Sequence, residues 1–179
     1  SQTYMPQSYI ELNIPANADG SHKLEKNALH IWPRKDFMLI ALPNTDGTFT
    51  CTLFLNYSGD PSFEGLRERS DVETFFESNF PDAMAYLERP VDVFMEKTAS
   101  PLFLVQVFPW SFNRKVALIG DAAHAIVPFY GQGMNCGFED CAELHSLIGK
   151  YDHDWDEIFP AYENARKPNG DAIAELSKR

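Results

Sequence analysis

The chain has 179 residues, of which 44% are hydrophobic and 23% charged, a composition typical of one globular domain. Its 26 acidic and 15 basic residues give a formal net charge of −11, which argues against a nucleic-acid partner. Three cysteines are too few for a disulfide framework, and no apolar run approaches the roughly 20 residues that span a bilayer. These features predict a soluble, acidic, intracellular protein or a piece of one.

The first 60 residues predict an antiparallel meander of β-strands. Residues 9–14 alternate between polar and apolar, and the runs 28–32, 37–42 and 48–55 are apolar or rich in β-branched and aromatic residues. Because the run 37–42 is almost continuously apolar, we expect both of its faces to be covered. The turn Asn44-Thr45-Asp46-Gly47 predicts a hairpin with Gly47 at positive φ.

The pattern changes to helical spacing near Ser70. The segment Ser70-Asp71-Val72-Glu73 fits a capping box, and an apolar stripe follows it at Val72, Phe75, Phe76 and Phe80. Further along the chain, the sequence predicts a short helix over 81–87 and two strands, over 101–107 and 116–120, with a loop over 110–114 between them. Three helices follow: one over 133–150, one capped by Asp154, and a last one opened by Pro168. A boundary near residues 100–110 separates the antiparallel half from an α/β half.

The segment 116–141 carries the pattern most relevant to chemistry. A short apolar strand ends in Gly120-Asp121-Ala122-Ala123-His124, and after Pro128 the run Gly131-Gln132-Gly133-Met134-Asn135 opens a helix. An acidic residue at a strand end can accept hydrogen bonds from ribose hydroxyls, and a helix start offers unpaired amides to negative charge. A Gly-x-Gly before a helix is, on its own, usually a tight turn. The acidic motif upstream makes contact with a planar ligand the better interpretation.

This combination resembles the second flavin-contact segment of the class A FAD-dependent aromatic hydroxylases. The blocks 29–34, 37–43, 49–54 and 125–135 are similar to the branch of that family that hydroxylates kynurenine, and the resemblance covers essentially the whole chain. It implies an α+β fold in two parts. Residues 1–108 would form an antiparallel substrate-binding sheet with helices, and residues 109–179 the C-terminal strand–helix part of a Rossmann-like FAD-binding domain.

The resemblance also implies an internal fragment of a longer enzyme. The family's Gly-x-Gly-x-x-Gly loop, its Asp-Gly segment and its C-terminal helical region do not occur in this sequence. We therefore expect the chain alone to be inactive. Any membrane attachment would come from a segment outside it, with a cytoplasmic location in a bacterial parent and the mitochondrial outer membrane in a eukaryotic one.

The family's cofactor and substrate contacts can be transferred residue by residue. The implied FAD contacts are Gly120, Asp121, Pro128, Gly131, Gln132, Gly133, Met134 and Asn135. The implied substrate contacts are Leu29, Met38, Ile40, Leu42, Thr52 and Phe54, closed by Phe129 and Tyr130. Strand alternation places Met38, Ile40 and Leu42 on one face, although ordinary core packing against helices would give the same pattern.

The implied function is hydroxylation of L-kynurenine to 3-hydroxykynurenine with FAD, NADPH and O2, and it requires no covalent catalytic residue and no metal in this segment. Two alternatives remain open: a flavin hydroxylase acting on another aromatic acid, and a non-catalytic binding module. Cys136 and Cys141 lie five residues apart on one helix, which disfavours a metal pair. We expect His124 to make a local structural hydrogen bond rather than to bind a ligand.

Overall fold

A computed structural model describes residues 1–177 as a mixed α+β fold. The elements follow in the order β1 (Gln2–Ile14), β2 (His30–Arg34), β3 (Phe37–Pro43), β4 (Phe49–Asn56), α1 (Arg69–Asn79), α2 (Pro81–Met84), α3 (Pro90–Glu96), β5 (Ser100–Val105), β6 (Ser111–Phe112), β7 (Val116–Ala117), α4 (Asp121–His124), α5 (Gly133–Lys150) and α6 (Trp155–Leu176). The chain forms two compact units, here called the sheet unit (residues 6–102) and the helical unit (residues 1–5 and the chain from residue 103).

The main sheet has the strand order β2-β3-β4-β1-β5. The predicted meander is confirmed, since β2 pairs antiparallel with β3 and β3 with β4. Gly47, in the turn between β3 and β4, has a φ of +88°, as its sequence predicts. Strand β1 then pairs antiparallel with β4, so the first strand of the chain lies inside the sheet.

The two faces of the sheet differ in burial. Leu39 and Ala41 of β3 are fully buried in a core shared with the predicted helical stripe of α1. On the other face of β3, Met38 and Ile40 are only half-buried and Leu42 is exposed. The expectation that both faces of this strand are covered is therefore wrong for the residues that the structure describes. Its apolar run provides one core face and one accessible apolar face.

The start of α1 differs from the predicted capping box. The helix begins at Arg69, Glu68 precedes it without a side-chain cap, and Ser70 already lies in the first turn. The Arg69 guanidinium contacts Glu73 at 3.1 Å and Asp92 at 2.7 Å, and these two ion pairs favour a start two residues earlier than a Ser70 cap would give.

In the helical unit, the predicted strand 116–120 is reduced to two residues. Strand β7 pairs antiparallel with β6, which lies inside the segment predicted as a loop. The pairing covers only two residues of each strand, and the chain leaves the extended conformation at Gly120, which has a φ of +59°.

Helix α6 continues through the position at which a separate helix was predicted. Pro168 lies inside it rather than at its start, so that prediction is wrong. Every fourth residue of α6 is buried: Ile158, Tyr162, Arg166, Gly170 and Ala174. Pro168 lies on the exposed side, where packing of the buried stripe outweighs the loss of one backbone hydrogen bond. The predicted cap is confirmed, since Asp154 accepts a hydrogen bond from the Asp156 amide at 3.0 Å.

Across residues 1–177, no helix is both long enough and apolar enough to traverse a bilayer.

Candidate functional site

A cavity of about 580 Å³ opens on the helical unit between the Gly120 turn and the first half of α5. Its lining is mostly apolar or glycine and carries one carboxylate, that of Asp121. The lining residues are Ile119, Gly120, Asp121, Ile126, Pro128, Gly131, Gly133, Met134, Gly137, Phe138 and Cys141. Where glycine forms the wall, a flat ligand can reach the main chain.

The Gly120 turn forms one side of this cavity. Gly120 adopts φ +59° and ψ −139°, a conformation that residues with a side chain rarely adopt. Its carbonyl accepts hydrogen bonds from the Ala123 amide at 2.9 Å and the His124 amide at 3.0 Å, which closes the short helix α4. The turn therefore presents Asp121 at the first position of that helix, at the cavity edge.

The start of α5 forms the opposite side. A 3-10 turn over Pro128–Tyr130 ends at Gly131, and Gln132 then precedes the helix with no side-chain cap among the described residues. The first amides of an α-helix have no partner within the helix and carry partial positive charge. This end of α5 can therefore stabilise negative charge on a ligand in the cavity.

A buried ionic cluster lies behind the Gly120 turn. One oxygen of Asp140, Oδ2, accepts hydrogen bonds from the Gly120 amide at 3.0 Å and from His124 Nε2 at 2.6 Å. Its other oxygen, Oδ1, accepts from Arg166 Nε at 2.8 Å, and Arg166 also contacts Glu139 at 2.7 Å. Because a carboxylate oxygen only accepts, His124 Nε2 must carry the proton in this contact.

The environment of Asp140 favours its charged form. Its burial opposes ionisation, but the hydrogen bonds from Arg166, His124 and the Gly120 amide outweigh burial and hold the pKa of Asp140 below its ordinary value. The charge of Asp140 also affects Tyr162, whose hydroxyl donates to the Leu118 carbonyl at 3.3 Å. Burial and the negative charge of Asp140 raise the pKa of this phenol.

The structure brings together six of the eight predicted cofactor residues. Gly120, Asp121, Pro128, Gly131, Gly133 and Met134 line the cavity. Gln132 and Asn135 are not part of the described lining. Their side chains bond to each other at 3.2 Å, and Gln132 also donates to the Tyr130 carbonyl at 3.2 Å.

The predicted substrate residues of the sheet unit share one face. Met38 pairs with Phe54 and Ile40 pairs with Thr52 across β3 and β4, so these four side chains point the same way, together with Leu42. Leu29 precedes β2 and is exposed. Phe129 and Tyr130 belong to the helical unit, in the 3-10 turn before α5.

Sequence reasoning missed several residues of the helical unit, among them Ile119 and Ile126 of the cavity lining. Gly137, Phe138 and Cys141 line the cavity, and each follows a predicted or lining residue by four positions, a spacing that helical periodicity could have supplied. The ionic partners Asp140 and Arg166 lie 26 positions apart, and no local pattern links them. His124 does make a structural hydrogen bond, but its partner is 16 positions away rather than local.

Comparison with known proteins agrees with this geometry. A family model described as an FAD binding domain matches residues 91–177. The solved structure of 2-methyl-3-hydroxypyridine-5-carboxylic acid oxygenase matches 99% of this chain and 47% of its own with a TM-score of 0.73 at 21% identity. For 2,6-dihydroxypyridine-3-hydroxylase from Arthrobacter nicotinovorans the TM-score is 0.67 at 16% identity, over 99% of this chain and 51% of that one. At these identities the two structures show a shared fold.

The chain therefore shares its fold with these two oxygenases, and residues 91–177 match an FAD binding domain. Curated proteins that are similar in sequence to this chain are named kynurenine 3-monooxygenase. The protein of Flavobacterium johnsoniae is 56% identical over the whole chain, and those of Dictyostelium discoideum and Anopheles gambiae are 45% and 44% identical over 99% of it. The chain spans 40%, 41% and 36% of the length of these three relatives.

The cavity fits the isoalloxazine part of FAD. Four glycines in its lining leave the main chain open to a planar ring, and the uncapped start of α5 suits the negative charge that a reduced flavin carries. The Asp121 carboxylate at the rim is an acceptor suited to the hydroxyls of the cofactor's sugar chain. The FAD pyrophosphate would need further groups, since the cavity presents one carboxylate and no basic side chain among its lining residues.

Proposed function

We propose that the chain is the part of a kynurenine 3-monooxygenase that carries substrate-contact residues and completes the flavin site. The observation that carries this proposal is an identity of 44–56% to proteins of that name over 99–100% of the chain. The reaction would be hydroxylation of the aromatic ring of L-kynurenine at C3, with NADPH and O2 as co-substrates. The parent protein would be cytoplasmic if bacterial and bound to the mitochondrial outer membrane if eukaryotic.

The helical unit would hold the flavin through the groups that line its cavity. When bound, FAD supplies the redox chemistry, taking reducing equivalents from NADPH and activating O2. The Asp121 carboxylate would accept hydrogen bonds from cofactor hydroxyls, and the Met134 and Asn135 amides at the start of α5 would stabilise negative charge on the ring. Pro128 and Gly131 would exclude water from the ring face.

The sheet unit would contact the aromatic substrate. Met38, Ile40 and Thr52 are half-buried on one sheet face, and Phe54 is buried on the same face next to Met38. An apolar wall with one hydroxyl suits an anilino ring, which needs desolvation and one or two polar contacts. This surface also suits other aromatic acids, so the choice of substrate needs a direct test.

A chimeric enzyme tests the proposal. The 179 residues replace the matching segment of the Flavobacterium johnsoniae protein, and NADPH oxidation is followed with and without L-kynurenine. We expect kynurenine to stimulate NADPH oxidation and 3-hydroxykynurenine to accumulate in a matched amount. The unmodified Flavobacterium protein is the positive control, and the chimera with Asp121→Ala, which removes the cavity carboxylate, should bind FAD more weakly.

Other outcomes would favour the alternatives. Stimulation by a different aromatic acid, with none by kynurenine, would indicate a hydroxylase of another substrate. A folded chimera without FAD would favour a non-catalytic module. The isolated 179-residue chain supplied with FAD, NADPH and kynurenine is expected to show no turnover, and robust turnover would contradict our assignment of which parts of the site lie outside it.

A further inference from the structure

We propose that Asp140 is a positioning residue for the cofactor, whose buried carboxylate holds the Gly120 turn and thereby fixes Asp121 at the cavity edge. The inference rests on the proposed flavin site and adds a residue that does not line the cavity. Asp140 belongs to α5, whereas the turn it holds lies 20 positions earlier in the chain.

The first step is the contact between Asp140 and the turn. Gly120 donates its amide to Asp140 Oδ2 at 3.0 Å, and its carbonyl accepts from the amides of Ala123 and His124. Both polar groups of the Gly120 backbone are therefore engaged. Because glycine reaches positive and negative φ about equally readily, contacts such as these are what select the φ of +59° at Gly120. Removing the Asp140 acceptor would release the turn on the side that faces α5.

The second step is the anchoring of the carboxylate itself. Asp140 is fully buried, and Arg166 and His124, each 4% exposed, contact it from α6 and α4. Arg166 donates from Nε to Oδ1, which leaves Oδ2 for the Gly120 amide and His124. The carboxylate thus has a defined orientation, and it links three helices to one backbone amide.

The third step concerns the close approach of the Gly120 turn to helix α5. The ideal Cβ position at Gly120 lies 3.9 Å from the Gly137 Cα, and the reverse distance is the same. The turn and α5 therefore approach each other through two glycines, one turn of helix before Asp140. Both glycines line the cavity, so a shift of the turn relative to α5 would change its width.

The test uses Asp140→Asn, which keeps the side-chain volume but removes the charge and one acceptor. Glu139→Gln is the matched control, since it removes the exposed partner of Arg166 and leaves Gly120 untouched. Leu147→Ala is a second control that destabilises the core of the same unit by opening a cavity. Amide hydrogen exchange is measured across the Gly120 turn in the 179-residue chain, and FAD affinity is measured in the chimera by flavin fluorescence.

We expect Asp140→Asn to accelerate exchange at Gly120 and to weaken FAD binding by about tenfold to a hundredfold, the loss typical of one hydrogen bond to a charged group. Glu139→Gln should leave both quantities unchanged. Leu147→Ala should lower the melting temperature but change FAD affinity less than Asp140→Asn does.

The inference is overturned if exchange at Gly120 is unchanged in Asp140→Asn, or if Asp140→Asn and Leu147→Ala weaken FAD binding in proportion to their loss of stability. These two outcomes are informative only when the chimera without these substitutions binds FAD. A parent chimera that folds without binding FAD would instead overturn the proposed function, and the positioning role with it.

Discussion

Gly170 lies directly against Trp110 in the helical unit. A Cβ built at Gly170 would lie 3.3 Å from Trp110 Cη2 and 3.3 Å from His124 Cγ. Trp110 is 2% exposed and donates its indole N–H to the Val107 carbonyl at 2.9 Å, and His124 is held by Asp140. Neither ring can move away freely, so this position of α6 requires glycine.

We therefore expect Gly170→Ala to destabilise the protein although alanine favours helix formation. Overpacking against two fixed rings should lower the free energy of unfolding by about 1–2 kcal/mol. Gly149→Ala in α5 is the control, because no atom lies within 4 Å of its Cβ position and the change should stabilise the protein by up to about 1 kcal/mol. Urea unfolding measures both variants, and equal stability of the two would contradict the packing described here.

A second prediction concerns acid stability. The pKa of Asp140 lies below its ordinary value of 3.8, so its stabilising contribution is complete above pH 3.8 and is lost as the pH falls through the lowered pKa. At pH 7, Asp140→Asn should lower the free energy of unfolding by about 3 kcal/mol, as expected for one partner removed from a buried ion pair. The difference in the free energy of unfolding between wild type and Asp140→Asn should become smaller below pH 3.8.

The measurement is urea unfolding of both proteins at several pH values between 7 and 3. Glu139→Gln is the control for the same cluster, since the exposed Glu139 should contribute less than about 1 kcal/mol at any pH. A wild-type advantage over Asp140→Asn that stays constant down to pH 3 would show that the Asp140 charge does not carry the stabilisation.

A third prediction concerns the three thiols. Cys51 is fully buried, and burial raises its pKa to about 12, while burial also raises the pKa of Cys136. Cys141 is exposed at the cavity. Because the thiolate is the reacting species, a maleimide at pH 7 should modify Cys141 first, Cys136 more slowly and Cys51 only on unfolding. Peptide mass spectrometry reports the order, and early modification of Cys51 would contradict the buried core of the sheet unit.

A fourth prediction concerns the substrate face. In the chimera, Met38→Ala should raise the KM for kynurenine by about tenfold, because it removes apolar surface at the proposed contact with the ring. Met38→Leu conserves volume and should stay close to the parent. Steady-state kinetics distinguish the two. A KM for Met38→Ala equal to that of the parent would place the substrate away from this face.

The sequence was most informative where its pattern was local. Alternation in β3 predicted that Met38, Ile40 and Leu42 share a face, and the strand pairing confirms this. The apolar stripe of α1 is confirmed because helical spacing alone decides which side chains enter the core. The family resemblance carried by the motifs of 120–135 supplied six of the eleven residues that line the cavity.

The remaining features depend on contacts between distant positions. The turn that follows β7 is one example, since the Gly120 amide donates to Asp140, which lies 20 positions away. Helix α6 passes Pro168 because packing of its buried stripe compensates a local penalty. The pairing of Asp140 with Arg166 has no signature within a sequence window, although a buried charge of either sign demands such a partner.

Two glycines of α5 allow the most direct test of the flavin site. Gly137 lines the cavity and Gly149 lies on the same helix outside its lining. In the chimera, Gly137→Leu should fill the space next to Gly120, and FAD titration should show affinity reduced by about a hundredfold or more, while Gly149→Leu should bind FAD as the parent does. Equal FAD affinity of the two folded variants would mean that the flavin does not occupy this cavity.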